Sequence, residues 1–290
     1  MTKPVTRKRT ASYYAPSGGL PGQDALMTQR AVFTESYAVI PRGCFSDIVT
    51  SYLPGWRDTR LWVIARPMSG FAETFSQYVM EIQPGGGADA PENDMQAQSV
   101  LFVTHGLMTL TIDGQGYELD AGGYAYIPAG TRWSVLAEGS QPTRFHWVRK
   151  IWEPAPAIDR TTAFVTNEQD IAPTPMPDTG GRWATTRFVA PEDLRHDLHL
   201  NIVTFEPGGS IPFEETHVME HGLYVLQGKA SYKLNKDWVE VEAGDFMYLR
   251  AYCPQACYAA GNEPFRYLLY KDVNRHARLR GPWSNPGIGR

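Results

Sequence analysis

Leu119-Asp-Ala-Gly-Gly-Tyr-Ala-Tyr-Ile127 returns 122 residues later as Val241-Glu-Ala-Gly-Asp-Phe-Met-Tyr-Leu249. Each copy is a polar turn around Ala-Gly that runs into a short aromatic and aliphatic stretch, the composition of a tight turn entering a buried strand. Two further blocks repeat in the same order on the N-terminal side. Ile82-Gln-Pro-Gly-Gly86 matches Phe205-Glu-Pro-Gly-Gly209 at an offset of 123, and Leu101-Phe-Val-Thr-His-Gly106 matches Leu223-Tyr-Val-Leu-Gln-Gly228 at 122. Three blocks in one order at offsets of 122 or 123 mark the duplication of a single unit of roughly a hundred-odd residues.

The unit is rich in strand signals. The 27 Gly and 22 Pro punctuate short runs of Val, Ile, Tyr, Phe and Thr, while stretches with helical period are few. The fold class is therefore mainly β, with each copy forming a small barrel. Phe102 to Ile112 and Leu223 to Leu234 read as hairpins turning at Gly106 and Gly228. Pro154-Ala-Pro-Ala and Pro173-Thr-Pro-Met-Pro177 have the composition of a connection. The expected division is a leader over residues 1–24, an N-terminal barrel over 25–155, a linker over 156–185, a C-terminal barrel over 186–276 and a tail over 277–290.

The 290 residues carry a formal charge of −4, which gives no electrostatic footprint for nucleic acid. The basic run Lys3 to Arg9 reads as a solvated tail. Three cysteines, Cys44, Cys253 and Cys257, make no disulfide framework and fit a reducing compartment. No apolar run approaches the ~20 residues of a membrane span, and the N-terminus lacks the apolar core of a signal peptide. A soluble, cytoplasmic protein is expected.

The two copies differ where it matters for chemistry. The second holds Glu215-Thr-His-Val-Met-Glu-His221. Residues two apart share one face of a strand, so Glu215, His217 and His221 can point together, and a return strand can bring Gln255 to the same place. One carboxylate, two imidazoles and an amide oxygen suit a borderline or hard divalent ion such as Mn²⁺, Fe²⁺ or Zn²⁺. The matching positions of the first copy, Asn93, Met95, Ser99 and Trp133, cannot make such a site. His217-Val-Met-Glu-His221 also fits the H-x-x-E-H pattern of inverted zinc peptidases, but that pattern needs a helix, and Gly208, Gly209, Pro212 and Gly222 oppose one. His105, His146, His196, His199 and His276 show no comparable grouping and are read as ordinary.

The duplicated unit resembles a cupin, a double-stranded β-helix or jelly-roll barrel, and the chain resembles the bicupin (S)-ureidoglycine aminohydrolases from about residue 25 to 276. The stretches that carry the resemblance are Glu215-Thr-His-Val-Met-Glu-His-Gly222, Asp237-Trp-Val-Glu-Val-Glu-Ala-Gly-Asp245 and Tyr267-Leu-Leu-Tyr-Lys-Asp-Val-Asn-Arg275. Glu stands at the usual first His, His221 at the usual Glu and Gln255 at the second-motif His, an exchange this family shows. The resemblance implies Mn²⁺, substrate contacts at Tyr232, Tyr267, Lys271 and Gln255, and hydrolysis of a small ureide, (S)-ureidoglycine, to (S)-ureidoglycolate and ammonia. Glu215 and Lys271 are the candidate catalytic groups, and a homo-oligomer is expected. The alternatives are another metal bicupin, a dioxygenase or decarboxylase, and a non-catalytic binding cupin.

Overall fold

The computed structural model describes residues 30–45, 53–67 and 72–272. The expected leader and tail lie outside the described residues, as does His276.

The first half contains β1 (Val32–Phe33), β2 (Tyr37–Ile40), β3 (Trp56–Ala65), β4 (Phe75–Ala88), β5 (Ala97–His105), β6 (Leu107–Ile112), β7 (Gln115–Asp120), β8 (Gly123–Ile127), β9 (Trp133–Glu138), β10 (Thr143–Ile151) and β11 (Phe164–Asn167). The second contains β12 (Thr174–Pro175), β13 (Trp183–Thr186), β14 (Leu198–Phe205), β15 (Ser210–Glu215), β16 (His221–Gln227), β17 (Lys229–Leu234), β18 (Asp237–Glu242), β19 (Phe246–Leu249), β20 (Gln255–Ala260) and β21 (Phe265–Asp272). No α-helix occurs among the described residues, so none is long and apolar enough to cross a membrane. The mainly β, tandem-barrel expectation holds.

The repeat is visible strand by strand. β5, β8 and β10 pair with one another as β16, β19 and β21 do. The expected hairpins do not form. β5 and β6 do not pair, nor do β16 and β17; each Gly is a corner where the chain leaves one sheet for another. Gly106 has φ +81° and Gly228 φ +73°, and a Cβ would lie 2.7 Å from the Pro142 carbonyl oxygen or 2.4 Å from that of Pro264. Left-handed backbone and close approach to the neighbouring strand both demand glycine there.

One edge strand crosses between the halves. β2, expected within the N-terminal barrel, pairs with β19 of the second, and β11, expected in the linker, pairs with β8 of the first. The segment 156–185 also supplies β12 and part of β13, short strands in an otherwise irregular stretch. Strand alternation sorts the side chains into three cores. Met80, Leu101, Leu110 and Phe145 fill barrel one, and Val203, Leu223, Val225 and Tyr267 fill barrel two. Val100, Phe102, Leu200, Tyr224 and Leu268 pack between the large sheets and join the halves. A buried ion pair crosses the same join. Asp197 accepts from Lys150 Nζ at 2.9 Å, from the Glu153 backbone N–H at 2.8 Å and from the Gln98 amide.

Candidate active site

In barrel two, β14, β21 and β16 lie side by side. Lys271 on β21 stands opposite His199 on one neighbour and His221 on the other. Leu223, Val225 and Tyr267 of the same parity lie in the barrel-two core, so His199, Lys271 and His221 share its interior face. The other side of the opening is built by β15 and β20, where Glu215 faces Gln255 beyond a bulge. The return strand β20 thus sets Gln255 beside Glu215.

His217 reaches the site by a different route from the one expected. β15 ends at Glu215, and His217 sits on the bend that follows, held by a 2.6 Å hydrogen bond from the Tyr252 backbone N–H to its carbonyl. Its Nε2 lies 3.3 Å from Glu215 Oε1, and its ring centroid lies 5.1 Å from that of His221. The stretch between the histidines is bend and irregular backbone, not the helix an H-x-x-E-H zinc site requires. Glu220 points the opposite way. Its carboxylate accepts from the Thr74 backbone N–H at 2.7 Å and from Tyr248 at 2.8 Å. It borders a cleft of about 410 Å³ on the other side of the strand ends.

Among the described residues no group of three His, Cys, Asp or Glu closes into a metal-holding cluster. The expected convergence is realised as one contacting pair, Glu215 and His217, with His221 one ring away. The donor set nevertheless fits a divalent ion. Two cis ligands on an ion at ~2.1 Å lie about 3 Å apart, close to the 3.3 Å between Glu215 and His217. His221 keeps Nδ1 buried with no hydrogen-bond partner. Burial, reinforced by His217 and Lys271, pushes its pKa down to about 3, so the ring is a neutral donor at ordinary pH.

Tyr232 donates to Gln255 Oε1 at 3.1 Å, and its hydroxyl lies 3.3 Å from that of Tyr267. Burial holds both phenols well above the usual range, so both remain protonated. Burial, then Arg187, lowers the Lys271 pKa. Cys253 and Cys257 are free thiols in the barrel-two core. Two side chains at this opening escape the sequence reading. His199 has both ring nitrogens buried without partners, and Asn201 has its Oδ1 in the same state. The available signal was strand parity: both sit two or four residues before Val203 on the barrel-facing side of β14.

The Cupin domain model matches residues 78–149 and 201–270, one copy in each half. A crystal structure of a Pseudomonas aeruginosa protein described as glyoxylate-induced is 62% identical, with a TM-score of 0.87, covering 93% of this chain and 99% of that one. The (S)-ureidoglycine aminohydrolase of Escherichia coli is 27% identical, over 83% of this chain and 93% of the relative. That of Arabidopsis thaliana is 29% identical, over 95% and 87%. Two cupin barrels in one chain, one with an opening lined by polar groups, define a bicupin. The chain belongs to the (S)-ureidoglycine aminohydrolase family of bicupins, a family of enzymes.

Proposed function

We propose that the barrel-two opening hydrolyses (S)-ureidoglycine to (S)-ureidoglycolate and ammonia, with Glu215, His217, His221 and Gln255 holding one Mn²⁺. The observation that carries this reading is the meeting of polar groups in barrel two: Glu215 faces Gln255 across the ladder, touches His217 at 3.3 Å, and Gln255 accepts from Tyr232. When bound, the ion supplies Lewis acidity and a template for the substrate carboxylate and its adjacent heteroatom.

The remaining work falls to the chain. Water replaces ammonia at a carbon that bears an amine, a ureido nitrogen and a carboxylate. Tyr267, kept protonated by burial, donates a hydrogen bond to the substrate, and Tyr232, whose proton goes to Gln255 Oε1, offers its oxygen to a substrate N–H. Lys271, opposite His221, pairs with the carboxylate or ureido oxygen and assists proton transfer to the leaving amine. Glu215 relays a proton as a carboxylate able to face substrate. Holding the carbon in one orientation preserves one hand in the product.

The test is ammonia release from freshly made (S)-ureidoglycine, followed with metal analysis of the purified chain. Glu215→Ala is expected to lose both the bound metal and enantioselective turnover. Wild-type turnover by Glu215→Ala with Mn²⁺ supplied overturns the assignment.

A further inference from the structure

His199 is 1% exposed and Asn201 is 3% exposed. They lie two apart on β14, on the face that carries Val203 and Phe205 into barrel two. Both ring nitrogens of His199 and the Oδ1 of Asn201 are buried with no hydrogen-bond partner. Buried polar atoms are normally paired, and leaving one unpaired weakens the fold. Three such atoms side by side, next to Lys271, therefore need a reason. The repeat makes the contrast sharper. The matching first-barrel residues are Ser76 and Tyr78, and Tyr78 is used as packing, its ring 5.4 Å from that of Trp147.

The chemistry of these atoms selects a ligand group. Burial, then Lys271 and His196, pushes the His199 pKa down to about 4, so its ring is neutral and offers one acceptor and one donor. Asn201 Oδ1 is an acceptor only. A carboxylate has no proton to give either acceptor and would set its negative oxygens against the partial negative charge of the Asn201 amide oxygen. A group carrying several N–H donors beside a carbonyl matches the set, with the Lys271 ammonium available to the carbonyl oxygen. We infer that His199 and Asn201 form the subsite for the terminal ureido group, accepting its N–H hydrogens and setting specificity for –NH–CO–NH₂. This inference rests on the ureide reading of the opening given above.

The test uses the full-length, Mn²⁺-supplemented protein and two competitive ligands, N-carbamoylglycine and N-acetylglycine, which differ in a terminal amino against a methyl group. The wild type is expected to bind the carbamoyl compound at least roughly tenfold more tightly, because a site built around unpaired acceptors rejects the analogue that cannot fill them. Asn201→Leu and, separately, His199→Phe are expected to bring that ratio below about threefold. Each should leave the melting temperature unchanged or raise it, since an unpaired polar group is replaced by an apolar one. A ratio that stays near tenfold in both variants overturns the inference, as does a melting temperature several degrees lower with the ratio intact. Should one variant not fold, the other carries the test. Should the wild type release no ammonia from (S)-ureidoglycine, the proposed activity fails by itself, and the ratio measured by calorimetry still decides the subsite.

Discussion

The two barrels share one set of strands and use their openings in opposite ways. In barrel one the position of Gln255 is Trp133, that of Leu269 is Trp147 and that of His221 is Ser99. Trp133 meets Trp147 edge-on at 5.7 Å, Trp56 lies 5.6 Å from it, and Trp147 Nε1 donates to Ser99 Oγ at 3.0 Å. Arg149, the counterpart of Lys271, is paired with Glu92 and lies over the Trp147 ring. Trp147, Ser99 and Arg149 thus have partners within the chain, while Trp56 Nε1 is buried without one. In barrel two His221 Nδ1 stands unpaired at the Ser99 position, and on β14 both ring nitrogens of His199 and Oδ1 of Asn201 are unpaired as well. Duplication thus leaves one copy free to be filled with rings for stability while the other keeps polar atoms at a cost in stability, available for a ligand.

The largest effect should come from removing the polar set of barrel two. Glu215→Ala/His221→Ala is expected to lower kcat/KM for (S)-ureidoglycine by at least about 10⁴-fold, or ~5 kcal/mol of transition-state stabilisation. Ser99→Ala, at the position equivalent to His221, should leave kcat/KM of the folded protein within about twofold. Steady-state ammonia release measures both. Comparable losses from the two barrels would erase the functional contrast between them.

Stability should show the reverse asymmetry. Trp147 is 2% exposed and touches three other rings, so Trp147→Ala leaves a cavity that the neighbouring rings cannot close. The expected cost is about 3–5 kcal/mol, read as a lower denaturant midpoint, with activity per folded molecule unchanged. A Trp147→Ala protein that keeps its stability but loses turnover would mean that barrel one takes part in the chemistry.

Much of this contrast is legible in the sequence. The matched blocks locate β5, β8, β16 and β19, and the departures at Glu215, His217, His221 and Gln255 mark the opening that stayed polar. The corners at Gly106 and Gly228 are not legible as corners, because a glycine between two strand-like runs has the composition of a hairpin turn; only the partners of β5 and β16 decide between them. The crossing of β2 to β19 and the return of β11 to β8 are likewise long-range pairings that no local pattern encodes. His199 and Asn201 alternate with leucine and isoleucine along β14, and that alternation can be read. What the sequence lacks is any sign of which face meets the other half and which lines the barrel.

The join between the barrels carries the smallest of these effects, and it too is asymmetric. Barrel one contributes His146, whose ring lies 4.2 Å from that of Tyr224, where the repeat places Leu268 in barrel two. Complete burial pushes the His146 pKa down to about 3 from the ordinary 6.5. The sign follows from linkage. Above pH 6.5 the ring is neutral both folded and unfolded, and the full stability is present. As pH falls below 6.5 the unfolded chain takes up a proton that the join refuses, so stability declines until the pH nears 3. At pH 5 this one group accounts for a loss of about 2 kcal/mol relative to pH 7. His146→Leu, which gives barrel one the residue barrel two already uses, should flatten the stability curve between pH 7 and 5 by about that amount. Denaturant titrations at pH 7 and 5 on both proteins measure it. His199 and His221 are displaced in the same direction and leave a residual slope in the variant. An acid slope identical to that of the wild type would show that protonation at the join does not limit how the two barrels hold together.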